Sequence, residues 1–502
     1  MPQDTETPLL SKTLFVSGVQ CLKLLWWRVH EPHAVELQPD KVLQDRFDQG
    51  RLVGEVARSH FPEGKLVTLE HDRATRLAST ELALDAGVPI LFEPAFQADN
   101  VFVSLDILQR EPGSVSLTEV KSASERKDEH IPDAAVQAYV LQRNAIELDR
   151  VEIMHLSKEY RHPAKGELFA RTDVTDDVRA MLPAIPDLVR QQLAALAGPL
   201  PQVAVGSHCY EPRECPFFDR CWPNDPRHIR HLYNVGPKKT CSYMSTGIHR
   251  IDDLPKNAKL PPAAQRQLRA LATGQLIVEP GLGEALAGFD VYPLGFLDFE
   301  TIARAIPVWH DLAPWGQAAA QFSYHESRAE GGYRHEAHLA EGPHDARPEL
   351  AERLVMATAN ARKVVTYSGF EKTRIRDLQK SVPELAGPLS DLEGKLIDLL
   401  PVIRNHVYHP DFRGSFSIKY VLQPMVPDLS YSDLVIVDGL VASVEIARLL
   451  FVAHRIDPAE RARVRQDLLD YCERDTWAMV RLLDRLRELA TGTQAQTAGP
   501  TA

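Results

Sequence analysis

The sequence predicts an α/β protein of two mixed-sheet domains joined by a small helical linker. Three observations carry this expectation. The chain has 502 residues, which at roughly 150 residues per domain is too long for a single small module. Apolar residues make up 44% and charged residues 25%, the ordinary balance of a globular chain, so wholesale disorder and fibrous repeats are excluded. Finally, β-rich runs alternate with helical ones in two stretches, before about residue 225 and after about 290, as two separate α/β layers require.

In the first stretch, Val101–Leu108 and Val115–Lys121 are β-rich and flank Arg110-Glu-Pro-Gly-Ser114, which reads as a hairpin turn. Helices follow over Asp133–Asn144 and Thr175–Ala197, the latter with Val178, Met181, Leu182, Ile185, Leu188 and Val189 at helical spacing. Between 225 and 290, Asn224-Asp-Pro226, Gly236-Pro237 and Leu260-Pro-Pro262 punctuate short helical pieces, the texture of a connector. Beyond Pro293, Leu294–Phe299, Gln317–Tyr324 and Lys363–Tyr367 read as strands, and Val441–Ala453 and Ala459–Leu489 as helices. The expected boundaries are a first domain over 1–235, a linker over 236–290, a second domain over 291–490, and a small polar tail over 491–502 with nothing to bury.

Lys and Arg number 57 against 69 Asp and Glu, a net charge of −12. This argues against a coat that binds nucleic acid by bulk charge. It leaves room for a nuclease, since carboxylates that hold divalent metals make a site acidic until the cations arrive. No run approaches 18 apolar residues, and the N-terminus lacks the basic start and apolar core of a signal peptide, so a cytoplasmic protein with no membrane partner is expected.

Gly295-Phe-Leu-Asp298-Phe-Glu300-Thr is an apolar strand interrupted by two carboxylates on one face. Burying two like charges there is costly unless cations offset them. Val364-Val-Thr-Tyr-Ser-Gly-Phe-Glu371 reads as strand, tight turn and helix start, which puts Glu371 where a strand end meets a site. Tyr471-Cys-Glu-Arg-Asp475 lies in a long helix with Tyr471 and Asp475 on one side. This order over about 291–490 resembles the DEDD superfamily of 3′→5′ exonucleases, in the subgroup whose last motif is Tyr-x-x-x-Asp. The resemblance implies an RNase H-like fold, with Asp298, Glu300, Glu371 and Asp475 holding two Mg²⁺ or Mn²⁺ ions and Tyr471 orienting the attacking water. Glu371 departs from the family's usual aspartate, and Asp398 in Leu396-Ile-Asp-Leu-Leu400 is an alternative or supporting carboxylate.

In the first domain Asp106 lies in one hairpin strand and Glu119-Val-Lys121 in the other, with Glu119 and Lys121 on one face. An acid followed by acid-x-Lys resembles the PD-(D/E)xK nucleases and implies a restriction-endonuclease-like fold. There Asp106 and Glu119 would bind a metal, and Lys121 would activate water or stabilise the phosphorane. Gln137-Ala-Tyr139 on the next helix resembles the QxxxY element of RecB-type nucleases, with Leu141 in the usual tyrosine slot. The family's upstream histidine is missing: Gln49-Gly-Arg-Leu-Val-Gly54 has glycine at that place, and Glu93 is the substitute ligand at hand.

Cys209, Cys215 and Cys221 crowd into a 13-residue loop segment, and Cys21 is the other cysteine of the expected first domain. All-thiolate ligation suits an iron–sulfur cluster or, alternatively, zinc. One cysteine before the nuclease motifs and three after them resemble the iron–sulfur nucleases of the RecB-like group, including CRISPR-associated exonucleases, which implies a [4Fe–4S] cluster pinning the ends of the domain. Cys241 and Cys472 read as small buried hydrophobes. The whole chain resembles a family of fused bacterial proteins that pair such a domain with a DEDD exonuclease, with Gly414-Ser-Phe-Ser-Ile-Lys419 and Asp470-Tyr-Cys-Glu-Arg-Asp-Thr476 as its distinctive stretches. The function expected is metal-dependent DNA degradation in repair or in defence against foreign DNA. The alternative is a nucleic-acid-binding or redox-sensing scaffold whose N-terminal fold no longer cuts.

Overall fold

A computed structural model describes residues 8–67 and 72–497, without the side chains of 493–497. The chain is α/β with several mixed sheets, and it divides into two compact units. The first runs to Trp222 and takes in Arg304–Val308 and Ala313–Trp315. Its strands are β1 (Leu10–Ser11), β2 (Lys65–Leu66), β3 (Ile90–Phe92), β4 (Ala95–Ala98), β5 (Val101–Ser104), β6 (Ile107–Glu111), β7 (Ser114–Lys121), β8 (Arg150–Leu156) and β9 (Phe169–Asp173). Its helices are α1 (Lys12–Gln20), α2 (Leu22–His30), α3 (Lys41–Ser59), α4 (Arg73–Asp85), α5 (His130–Arg143), α6 (Thr175–Met181), α7 (Ile185–Ala197) and α8 (Phe218–Cys221).

The main sheet has the order β2-β3-β6-β7-β8-β9, and a smaller one has β1-β5-β4. The expected hairpin is β6 with β7, antiparallel. The run Val101–Leu108 does not stay in one strand. It breaks at Leu105–Asp106, so β5 joins the small sheet and Asp106 stands just ahead of β6. Strands β7 and β8 are parallel and therefore need a crossover, which α5 supplies. That helix is buried on nearly every side through Ala134, Ala135, Val136, Val140 and Leu141. The segment Thr175–Ala197 splits into α6 and α7, since Pro183 and Pro186 remove backbone donors where a single helix would need them.

The second unit takes Pro223–Ala303, Trp309–Leu312 and the chain from Gly316. It contains β10 (Ile277–Val278), β11 (Leu294–Ile302), β12 (Ala318–Ser327), β13 (Tyr333–Leu339), β14 (Lys363–Thr366), β15 (Leu396–Asp398) and β16 (Val407–Tyr408). The helices are α9 (Pro237–Ser245), α10 (Pro262–Thr273), α11 (Leu282–Leu286), α12 (Arg347–Thr358), α13 (Phe370–Ser381), α14 (Ala386–Lys395), α15 (Leu400–His406), α16 (Ile418–Met425), α17 (Gly439–Phe451) and α18 (Pro458–Thr497). The division thus falls at Trp222/Pro223 rather than at 235. The segment read as a linker is part of the second unit: Ala263, Ala270, Leu282, Leu286 and Phe289 share a core with Phe296, Leu483 and Leu486. Its prolines start helices, Pro237 as the first residue of α9 and Pro262 as the first of α10, and do not separate the segment from the core. Helix α18 continues to Thr497, through much of the stretch read as a tail, and the last five residues lie outside the described ones.

The principal sheet of this unit runs β13-β12-β11-β14-β15, with β11 central. Strands β11 to β13 form an antiparallel meander, and β14 and β15 add in parallel beside β11. Apolar side chains cover both faces, so β11 is hydrophobic on both sides apart from Asp298, Glu300 and Thr301. No helix among the described residues is long and apolar enough to cross a membrane.

Gly414 shows why one of the distinctive stretches has its sequence. Its φ is +77°, and a Cβ there would sit 2.1 Å from the carbonyl oxygen of His231. Gly414→Ala is therefore expected to destabilise the second unit by about 3 kcal/mol, read as a lowered urea midpoint with the slope unchanged.

Candidate functional site

The C-terminal carboxylates converge. Residues two apart on a strand share a face, so β11 presents Asp298 and Glu300 together, and α18 brings Asp475 to them. One oxygen from each of the three lies within 4.8 Å of the others. Glu371 stands in the first turn of α13, reached through a tight turn after β14 in which Ser368 has φ 126°. It hydrogen-bonds Asp298, while its Oε2 is buried with no partner among the described residues. An orphaned buried carboxylate oxygen costs free energy unless a cation or donor meets it.

Burial and the neighbouring carboxylates push Asp298 and Glu300 well above the usual carboxylate range. Burial pushes Glu371 up to about 8 and Asp475 up to about 6, the latter moderated by the hydroxyls of Tyr431 and Tyr471 and by Lys419. Tyr471 is thus tied to Asp475, as their spacing on one helix face requires. The Lys419 ammonium lies 5.3 Å from the Tyr471 ring and 5.8 Å from that of Tyr431. Asp398 is not among the converging groups. Its Oδ1 accepts the backbone N–H of Ser368 (3.0 Å) and of Leu400 (2.9 Å), so it holds the turn that positions Glu371. Cys472 is fully buried, as expected of a small hydrophobe, and its thiol lies 3.6 Å from Asp298 Oδ2.

Tyr431 and Lys419 escaped the sequence reading. Tyr431 follows Pro427-Asp-Leu-Ser430, a stretch with no periodicity, and its approach to Asp475 is purely tertiary. Lys419 lies in a stretch already singled out by its residues, yet nothing in it showed where the ammonium goes.

The raised carboxylates predict a pH dependence. Carboxyls of the unfolded chain titrate near 4, whereas the folded site keeps protons to higher pH. Between these values the native state binds more protons, so stability falls as pH rises. The metal-free chain is expected to lose about 1.4 kcal/mol per pH unit for each such group, from about pH 5 towards 8 for Glu371. Thermal melts across this range check it, and Glu371→Gln should flatten the slope.

In the first unit Glu119 on β7 is almost completely buried. It accepts Lys121 Nζ (2.8 Å), Lys12 Nζ (2.8 Å) and Gln137 Nε2 (2.8 Å). Burial works to raise its pKa, but the two lysines overcome burial and hold it well below the usual range. Asp106 reaches the same place, accepting the N–H of Val120 (2.6 Å), and burial beside Glu119 pushes it up to about 7. Glu93 faces Lys12 and Glu119 and is raised by burial, so it belongs to this cluster. Asp133, one turn before Gln137 on α5, pairs with Lys121. Gln137 therefore joins the site. Tyr139, two residues on, turns away and gives its hydroxyl to Asp99. Lys12 and Asp133 were not foreseen, because nothing in the local pattern around Ser11-Lys12 marks a site.

Cys21, Cys209, Cys215 and Cys221 line one cavity together with Trp27, Phe217 and Phe218. Cys21 sits at the break between α1 and α2, and Gln20 Nε2 donates to the carbonyls of His208 (2.8 Å) and Arg213 (2.9 Å), holding that break against the cysteine loop. None of the four is in a disulfide. Burial, with the other three sulfurs, pushes Cys215 up to about 11, and burial raises Cys221 against the pull of Lys23.

Among known families, one described as a domain of unknown function (DUF2779) matches residues 295–417, a span that holds Asp298, Glu300 and Glu371 but ends before Tyr471 and Asp475. No curated protein matches the chain.

Proposed function

We propose that the chain is a metal-dependent nuclease that shortens DNA from its 3′ end at the carboxylate cluster of the second unit, acting in DNA repair or in defence against foreign DNA. The observation that carries this reading is the convergence of Asp298, Glu300 and Asp475, with Glu371 presenting an unpartnered buried oxygen. Such a donor set is all hard oxygen and suits Mg²⁺ or Mn²⁺. When bound, two such ions lower the pKa of an attacking water and clamp the in-line displacement at phosphorus. The chain's own groups have distinct tasks. Asp298, Glu300, Glu371 and Asp475 would hold the cations, Tyr471 would orient the water, and Lys419 would meet a phosphate oxygen. The strand order β13-β12-β11-β14-β15, with the first carboxylates on the central strand, supports the RNase H-like reading.

The test uses 5′-labelled single- and double-stranded DNA and RNA with Mg²⁺ or Mn²⁺. A ladder of products shortening from the 3′ end, stronger on DNA, is expected. Absence of degradation on all four would overturn the reading.

Lys12 favours a second reading for the first unit, in which a RecB-like fold binds strands without cutting them. Two ammonium groups already neutralise Glu119, so a cation entering there must displace one of them. With the second site silenced by Asp298→Asn, the chain is expected to retard single-stranded DNA in a gel and to cleave none in Mn²⁺. Residual cleavage that vanishes in Lys121→Ala would instead show that this site cuts.

For the four cysteines the reading is a [4Fe–4S] cluster, with zinc as the alternative, in a chiefly structural role. Four free thiols line one cavity, which supports this reading, and Cys215 and Cys221, made reluctant to ionise by burial, need a cationic centre to become thiolates.

A further inference from the structure

The second unit carries another group of metal-ligand side chains, separate from the carboxylates. His325 on β12 and His335 on β13 are directly opposite in the antiparallel register, and their rings stack with centroids 4.4 Å apart. Glu473 projects toward them from α18. One nitrogen of each ring and one oxygen of Glu473 lie within 4.8 Å of one another. We propose that His325, His335 and Glu473 bind one divalent transition-metal ion, Zn²⁺ by the character of the donor set, with a fourth position open to solvent.

The hydrogen bonds argue for this assignment over a plain polar cluster. His325 Nδ1 is engaged by Thr476 Oγ1 (2.9 Å), and His335 Nε2 by Ser323 Oγ (2.9 Å). Ser323 and Thr476 are themselves bonded at 2.8 Å. Each imidazole is thus fixed through one nitrogen by a buried hydroxyl, leaving the other as a donor, the arrangement that orients metal-binding histidines. His335 Nδ1 and Glu473 Oε2 stand 3.7 Å apart, too far for a hydrogen bond. Two ligands of a tetrahedral ion with arms of ~2.1 Å stand ~3.4 Å apart, so the gap is close to what an ion between them requires. Burial lowers both histidines, His325 to about 3, which favours the neutral ring whose lone pair a metal needs. Two imidazoles and one carboxylate favour Zn²⁺ over Mg²⁺. The Glu473 side chain is 47% exposed, which gives the ion an entry path and leaves room for a water. A bound ion would tie the β12–β13 hairpin to the helix that carries Tyr471 and Asp475.

The experiment uses the full chain, stripped with a chelator and titrated with Zn²⁺ and separately with Co²⁺. Glu473→Gln changes an accessible side chain, and His335→Asn gives a second, independent variant. The parent is expected to hold one more Zn²⁺ per chain than either variant, or to bind that ion at least 10-fold more tightly. The parent's melting temperature should rise with Zn²⁺ by more than that of the variants. Co²⁺ should add weak visible bands without the intense near-ultraviolet absorption of thiolate ligation, and these bands should be missing from both variants. Equal stoichiometry, affinity and Zn²⁺-dependent melting in parent and variants would overturn the proposal. So would Co²⁺ bands that persist in both variants.

Discussion

Asp298→Asn is expected to reduce 3′ digestion of DNA by a factor of about 10³ or more while making the metal-free protein more stable. The two effects have one origin. Burial raises the pKa of Asp298, and the charges of Asp475, Glu300 and Glu371 around it raise it further. Without cations the cluster works against folding at neutral pH, and removing one carboxylate relieves it. With cations bound, the same oxygen would help hold the charge that stabilises the proposed transition state, and neighbours of fixed geometry could not offset its loss. Asparagine keeps the shape, so lost activity would not be lost structure. Asp475→Asn should behave alike, whereas Tyr471→Phe, which removes only a hydroxyl bonded to Asp475, should slow digestion about 10-fold. Rates from end-labelled substrates and melting temperatures in chelator check both halves. Parental rates in Asp298→Asn and Asp475→Asn would show that the carboxylates are not the active site.

What the sequence made legible here follows from the range of each interaction. Asp298 and Glu300 were readable because a period of two fixes their common face, and Tyr471 with Asp475 because a helix turn does the same. The break of Val101–Leu108 was not readable, since it depends on β5 finding β4 in one sheet while β6 finds β7 in another. The helices between 225 and 290 looked like a connector because their prolines dominate the local pattern. Their membership of the second unit is decided by burial against Phe296 and the distant Leu483 and Leu486. The same reasoning accounts for Lys12, which meets Glu119 from 107 residues away. Local pattern ranks such residues no higher than any surface lysine. His325 and His335 show the intermediate case: ten residues apart, they face each other only once the register of β12 and β13 is known.

Cys21→Ala is expected to bleach the anaerobically purified protein and to destabilise the first unit by several kcal/mol, leaving 3′ digestion unchanged. The four thiols line one cavity although Cys21 precedes Cys209 by nearly two hundred residues. A centre that ligates all of them closes that loop in the native state, and the entropy of loop closure grows slowly but is large at this length. Ligation free energy is then folding free energy, because the unfolded chain has no assembled site. Replacing Cys21 leaves three ligands and returns the α1–α2 junction to the hold of Gln20 on the cysteine loop, two hydrogen bonds worth about 1 kcal/mol each. The parent should be brown with about four irons per chain, and limited proteolysis of the variant should cut within residues 1–222 first. Colourless parent protein with one zinc per chain would replace iron by zinc and keep the structural role. Four freely titratable thiols in the native parent, with unchanged protease resistance in the variant, would remove both.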